Sequence, residues 1–115
     1  MEPQNKKETE QIVMPGLLFQ VKVKEGKGEE FATELRNAIP NVRKEEGTLA
    51  WFGFRINETD FGTLDVFIDE EARQIHKRKR DERGRKGTNK LLPLVVEGSV
   101  VIKEIDIISY KFDRK

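Results

Sequence analysis

Apolar and polar residues alternate from Leu17 to Lys24, with Leu17, Phe19, Val21 and Val23 on one side and Gln20, Lys22 and Lys24 on the other. A period of two marks a half-buried strand. Gly26-Lys27-Gly28 ends it, and Phe31, Leu35, Ala38, Ile39 and Val42 then recur at helical spacing. Glu29 and Glu30 stand where negative charge favours a helix N-terminus, and Pro40 predicts an interruption or restart. Past the charged run Arg43 to Glu46 and Gly47, the segment from Thr48 to Ile56 is rich in aromatic and β-branched residues and predicts a second strand. Asn57 to Asp60 supplies turn chemistry, so Gly62 to Ile68 reads as a third strand paired to the second as a hairpin. Asp69 is placed to cap a second helix, with Glu70 and Glu71 in its first turn. On that helix Ala72, Ile75, His76 and Lys79 form the expected inward stripe. Leu91-Leu92 then predict a short apolar segment broken at Pro93, and Val100 to Tyr110 a final strand. Met1 to Gln11 carries no apolar period, so a disordered tail is expected over 1–15 and a single domain over 16–112.

The order β-α-β-β-α-β predicts an α+β, ferredoxin-like fold, in which two helices cover one face of a four-stranded antiparallel sheet. The second strand is apolar on both faces: Leu49, Trp51 and Gly53 on one, Ala50, Phe52, Phe54 and Ile56 on the other. Helices hide only one of these. The other is expected to lie against the same sheet of a second subunit, because soluble monomers rarely expose a large contiguous apolar patch. The alternative is a monomer with scattered exposed aromatics.

Composition narrows the chemistry. The chain has 115 residues, 37% of them charged, and a net charge of +1. That balance hides a segregation: Lys77 to Lys90 holds eight basic residues against Asp81 and Glu82. With Gly84 and Gly87 inside it, this run is expected to interrupt the helix and to be exposed and mobile. The absence of cysteine removes disulfides, thiolate catalysis and iron–sulfur chemistry, and a single histidine removes a His-rich metal site. Asp69-Glu70-Glu71 reads as helix capping rather than a cation site, so no metal is expected. No phosphate loop, HExxH, GxSxG or dinucleotide fingerprint is present. No window is long and apolar enough for a membrane span and the N-terminus is unlike a signal peptide, so a cytoplasmic protein is expected.

Several stretches together resemble a known family. Arg43-Lys44-Glu45-Glu46-Gly47-Thr48-Leu49 followed by Trp51-Phe52 is one, and Phe61-Gly62-Thr63 through Asp65-Val66-Phe67 is another. With Asp69-Glu70-Glu71-Ala72-Arg73-Gln74-Ile75-His76 and Ile105-Asp106-Ile107-Ile108, they are similar to the antibiotic biosynthesis monooxygenase family of dimeric α+β barrels. The resemblance spans about residues 16 to 111. It implies a homodimer with a cavity in each subunit between sheet and helices. It also implies oxygenation of quinols or polycyclic aromatics without metal or flavin, or, in some relatives, haem degradation. The haem-degrading branch needs an Asn on the first strand with a Trp and a His, and Leu17 to Lys24 has no Asn. The basic run after His76 also departs from the Ala- and Leu-rich helix common in the family.

Cofactor-free oxygenation of a small planar phenol or quinol requires a dry aromatic pocket and one positioned acid/base. His76 is the candidate catalytic base, since an unperturbed imidazole titrates near neutrality; the alternative is a packed histidine at the helix–sheet seam. Trp51 is a candidate stacking surface, or plain core. Asp65 would orient His76 or bind a substrate hydroxyl, or else be a solvated strand residue. Arg55 would stabilise an enolate or quinol anion, or simply make a surface ion pair. No cofactor is expected. Two other functions compete: a non-catalytic dimeric ligand-binding or structural module of the same fold, and an RNA- or DNA-binding protein using residues 77–90. Against the latter, Phe52-Gly53-Phe54-Arg55-Ile56 echoes the RNA-recognition signature on the second strand rather than the third.

Overall fold

The computed structural model describes residues 12–114, so residues 1–11 of the tail expected over 1–15 lie outside the described residues. Strand β1 (Met14–Lys22) is followed by helix α1 (Gly28–Asn37), the short α2 (Ile39–Arg43), β2 (Thr48–Arg55) and β3 (Asp60–Phe67). Helix α3 (Glu70–Arg85), a 3-10 turn (Leu92–Leu94) and β4 (Val101–Ile107) complete the order. The four strands form one antiparallel sheet in the order β2-β3-β1-β4, the ferredoxin-like arrangement expected from the sequence. β1 begins at Met14, two residues before the expected domain start, and pairs Met14 with Ile107.

The alternation in β1 is realised as predicted: Leu17, Val21 and Val23 are buried against the helices. Phe31 and Leu35 of α1 meet them, and the Phe31 and Phe61 rings lie 5.0 Å apart in a tilted contact. Leu94 and Val95 close the end of this cluster, so the segment around Pro93 is a core element. Pro40 falls in the first turn of α2, where its missing N–H costs nothing. The Asp69 side chain accepts the Ala72 N–H at 2.8 Å, the cap expected at the start of α3.

Three expectations are corrected. First, α3 does not break at Gly84. It continues to Arg85, and the chain leaves the helix at Gly87, whose φ of 71° suits glycine. Second, of the expected inward stripe Ala72, Ile75, His76 and Lys79 on α3, His76 is buried as expected, but Ile75 is 38% exposed and Lys79 lies in solvent, and Arg73 takes an inward place instead. The Arg73 guanidinium donates to the carbonyls of Gly16 (3.1 Å) and Ile105 (3.2 Å) and pairs with Glu70 and Glu104, which makes its burial tolerable. Third, a register shift between Thr48 and Ala50 leaves Leu49 exposed instead of packed beside Trp51 and Gly53.

The opposite sheet face carries Phe52 and Val101, 42% and 44% exposed, and Phe112 of the C-terminal segment lies 6.2 Å from the Phe52 ring. Gly62 makes this face passable: a Cβ there would stand 2.4 Å from both the Phe19 carbonyl oxygen and the Phe54 ring. Among the described residues, no helix is long and apolar enough to cross a membrane.

Candidate functional site

β3 turns Phe61, Thr63, Asp65 and Phe67 to the helix-covered face, so a carboxylate sits in a row of buried positions. Asp65 is 3% exposed and is not a solvated strand residue. Above it, α3 lowers His76 onto the sheet, with its ring 5.2 Å from that of Phe67. His76 Nε2 lies 3.0 Å from Asp65 Oδ2, and Nδ1 lies 2.8 Å from Glu45 Oε1. Glu45 comes from the turn between α2 and β2, where the Thr48 hydroxyl also donates to Oε1 at 2.8 Å. Four residues from three segments thus form one string: Thr48, Glu45, His76, Asp65.

Both ring nitrogens face carboxylate oxygens, which accept but do not donate, so the geometry suits an imidazolium donating on both sides. Burial alone would lower the His76 pKa, but the hydrogen bonds and charges of Asp65 and Glu45 outweigh it and raise the value to about 9. This corrects the expectation of a base titrating near neutrality. Glu45 responds in the opposite sense: burial works to raise its pKa, while His76, Thr48 and the charge of Lys79 bring it below the ordinary carboxylate value. Asp65 Oδ1 is buried and has no hydrogen-bond partner among the described residues, a costly state for a carboxylate oxygen.

The string forms the polar end of a cavity of about 680 Å³ between the sheet and the helices, within the size range of small-molecule sites. Leu17, Phe19, Trp51 and Ile102 supply apolar walls. Trp51 is half-buried, and Gly53, two residues on, leaves room beside it: a Cβ there would meet Leu35 at 3.3 Å and the indole at 3.5 Å. The structure therefore brings three of the expected site residues, His76, Asp65 and Trp51, to one cavity.

Arg55 is not among them. It donates to Glu29 (2.7 Å) and to the carbonyls of Asn57 (3.1 Å) and Glu58 (3.3 Å), and covers the Phe61 ring at 4.9 Å. It clamps the β2–β3 turn to α1, outside the lining of this cavity. Two site residues escape the sequence reading. Glu45 sits inside a charged run with nothing local to tie it to a histidine 31 positions on. Arg80, one helical turn beyond His76, also lines the cavity and is foreshadowed only by that i+4 spacing. Among the described residues, no three His, Asp or Glu side chains are grouped to hold a metal ion.

No family model matches the chain, and no curated protein does. Solved structures do. A Nitrosomonas europaea protein of unknown function superposes with a TM-score of 0.68 at 22% identity, covering 90% of this chain and 97% of its own. A proposed antibiotic biosynthesis monooxygenase from Caulobacter crescentus gives 0.68 at 19% identity over 91% of this chain and 99% of its own. A second such protein, from Nitrosomonas europaea, gives 0.63 at 16% identity over 84% of this chain and 89% of its own. At these identities the likeness is one of fold: the chain has the ferredoxin-like architecture that antibiotic biosynthesis monooxygenase-like structures share.

Proposed function

We propose that this chain is an oxidoreductase of the antibiotic biosynthesis monooxygenase type, oxygenating a small planar phenol or quinol without a cofactor. The observation that carries the reading is the apolar cavity ending on the Asp65–His76–Glu45 string, with Trp51 in its wall. A flat ring against Trp51 brings its hydroxyl to Asp65, whose Oδ1 lacks a partner among the described residues. With His76 protonated and both carboxylates ionised, the string carries a net charge of −1, and taking the substrate's hydroxyl proton neutralises it. Asp65 is then the proton acceptor, and His76 is a positioning residue that holds it. The resulting phenolate gives an electron to dioxygen, one oxygen atom bonds to the ring, and the other leaves as water. For a naphthol the balance is naphthol plus dioxygen to naphthoquinone plus water.

The homodimer belongs to the same proposal. Its interface is the sheet face away from the helices, where Phe52 and Val101 stand in solvent in the single chain.

Oxygen uptake by the purified protein over a panel of naphthols, quinols and anthrones tests the chemistry. Uptake is expected with at least one of them, and Asp65→Asn should lower it by about 10²–10⁴-fold. Ligand binding without oxygen consumption across the panel would leave the non-catalytic binding module as the better account.

A further inference from the structure

The cavity is chemically lopsided. Its buried end holds the Asp65–His76–Glu45 string, and its more exposed lining holds Arg80, Arg83, Arg85 and Lys90, with Glu34 and Asp81 as the other acidic lining residues among those described. Arg80 is anchored there by the helix: it follows His76 by one turn, about 6 Å along the axis, on the same face of α3. Its side chain is 23% exposed, and its ion pair with Asp81 is long, at 3.4 Å. One turn further on, Gly84 presents no side chain, and a Cβ there would find only Leu92 at 3.8 Å. The opening beside Arg80 is therefore not blocked by α3 itself. Lys90 comes from the segment after Gly87, so two parts of the chain bring cations to the cavity lining.

We infer that the ligand of this cavity is a hydroxy-aromatic carboxylate, its hydroxyl at Asp65 and its carboxylate at the mouth with Arg80 and Lys90. This rests on the proposal above that the cavity takes a hydroxy-aromatic, and adds the charge and the direction of entry. Guanidinium groups pair with carboxylates through two parallel N–H donors, and a partly desolvated site strengthens that pairing. The net negative charge of the string rejects a carboxylate at the buried end, so the same ligand cannot enter reversed. Trp51, the register partner of Asp65 across β2 and β3, offers the wall against which the ring lies.

Isothermal titration calorimetry of the full chain with three probes tests this: 6-hydroxy-2-naphthoic acid, its methyl ester and 2-naphthol. The acid is expected to bind roughly tenfold or more tightly than the ester, the size of one charge-assisted pair. Salt should narrow the gap, since the mouth is open to ions. Arg80→Met should weaken the acid about tenfold and leave the ester unchanged, and Arg80→Lys should keep part of the preference. If Arg80→Met does not fold, Lys90→Gln, on an exposed segment, reads the same preference. Equal binding of acid and ester by the wild type overturns the inference. So does an equal loss of both in Arg80→Met, or the failure of all three probes to bind. A charge preference without oxygen uptake overturns the oxygenase proposal and leaves this inference standing. Uptake on 2-naphthol with no preference for the acid does the reverse.

Discussion

His76 is the only histidine in the chain, so its Cε1–Hε1 resonance can be followed through a pH titration without ambiguity. Two carboxylates at 2.8 and 3.0 Å raise its pKa from 6.5 to about 9 in the folded protein. At about 1.4 kcal/mol per pH unit, that shift corresponds to about 3 kcal/mol of folding free energy. The sign follows from which state holds the proton. Below pH 6.5 both folded and unfolded chains are protonated at His76, and the stabilisation is fully present. Between 6.5 and about 9 only the folded chain keeps the proton, so stability falls as pH rises, and above about 9 the contribution is gone. Urea unfolding at pH 6 and at pH 9.5 should therefore differ by about 3 kcal/mol from this group. Glu45→Gln removes one of the two carboxylates and should lower the His76 midpoint by about a unit or more, with the alkaline stability loss beginning correspondingly earlier. A wild-type midpoint near 6.5, or equal stability at the two pH values, would refute the ion-paired string. The same titration bears on mechanism. A free imidazole base would make oxygen uptake rise through pH 6.5, whereas a positioning imidazolium predicts no rise there and a decline only as pH passes about 9.

Phe52→Asp should leave the fold intact and abolish the proposed self-association, because Phe52 lies on the sheet face away from the helices; a variant that still sediments as a dimer contradicts the proposed interface. Gly62→Ala should destabilise by about 1–3 kcal/mol or more in urea unfolding, since the new methyl would meet a backbone carbonyl that cannot swing aside. Arg73→Met should cost about 2–4 kcal/mol and loosen the β1–β4 pairing, measured as faster amide exchange around Gly16 and Ile105, because both carbonyls lose their guanidinium donor.

The fold was legible wherever a period was strong. β1 shows a period of two and α1 a period near 3.6, and both stand where those periods put them. The β2–β3 hairpin follows from its turn residues: Asn57 Oδ1 accepts the Thr59 and Asp60 backbone N–H groups. The errors fall where a nonlocal contact overrides a local signal. Leu49 looks apolar and in phase, but the bulge at its position is set by how β2 meets β3. Ile75 looks like a core position, but Arg73 has the carbonyls of two other strands to satisfy and takes the inward place. Of the site, the one histidine, the one tryptophan and an acidic residue in an otherwise apolar strand are locally conspicuous. Glu45 is not, because its role exists only once the turn before β2 has been folded against α3.

Helix α3 joins these points to the chemistry. Its apolar content is too low for it to dock by hydrophobic burial alone, and its buried face is Arg73 and His76. What holds it to the sheet is a set of charge-assisted bonds: Arg73 to backbone carbonyls and His76 to two carboxylates. Such contacts hold a helix at points rather than along a continuous seam. The space left beside the Trp51 wall is accordingly cavity, and the solvent-facing continuation of the same helix is free to carry cations to its mouth. Four cations of the basic run, Arg80, Arg83, Arg85 and Lys90, therefore line the cavity. A ligand that carries its own negative charge is the one inferred above, because an uncharged polycyclic substrate would leave Arg80, among the described residues, with its long contact to Asp81.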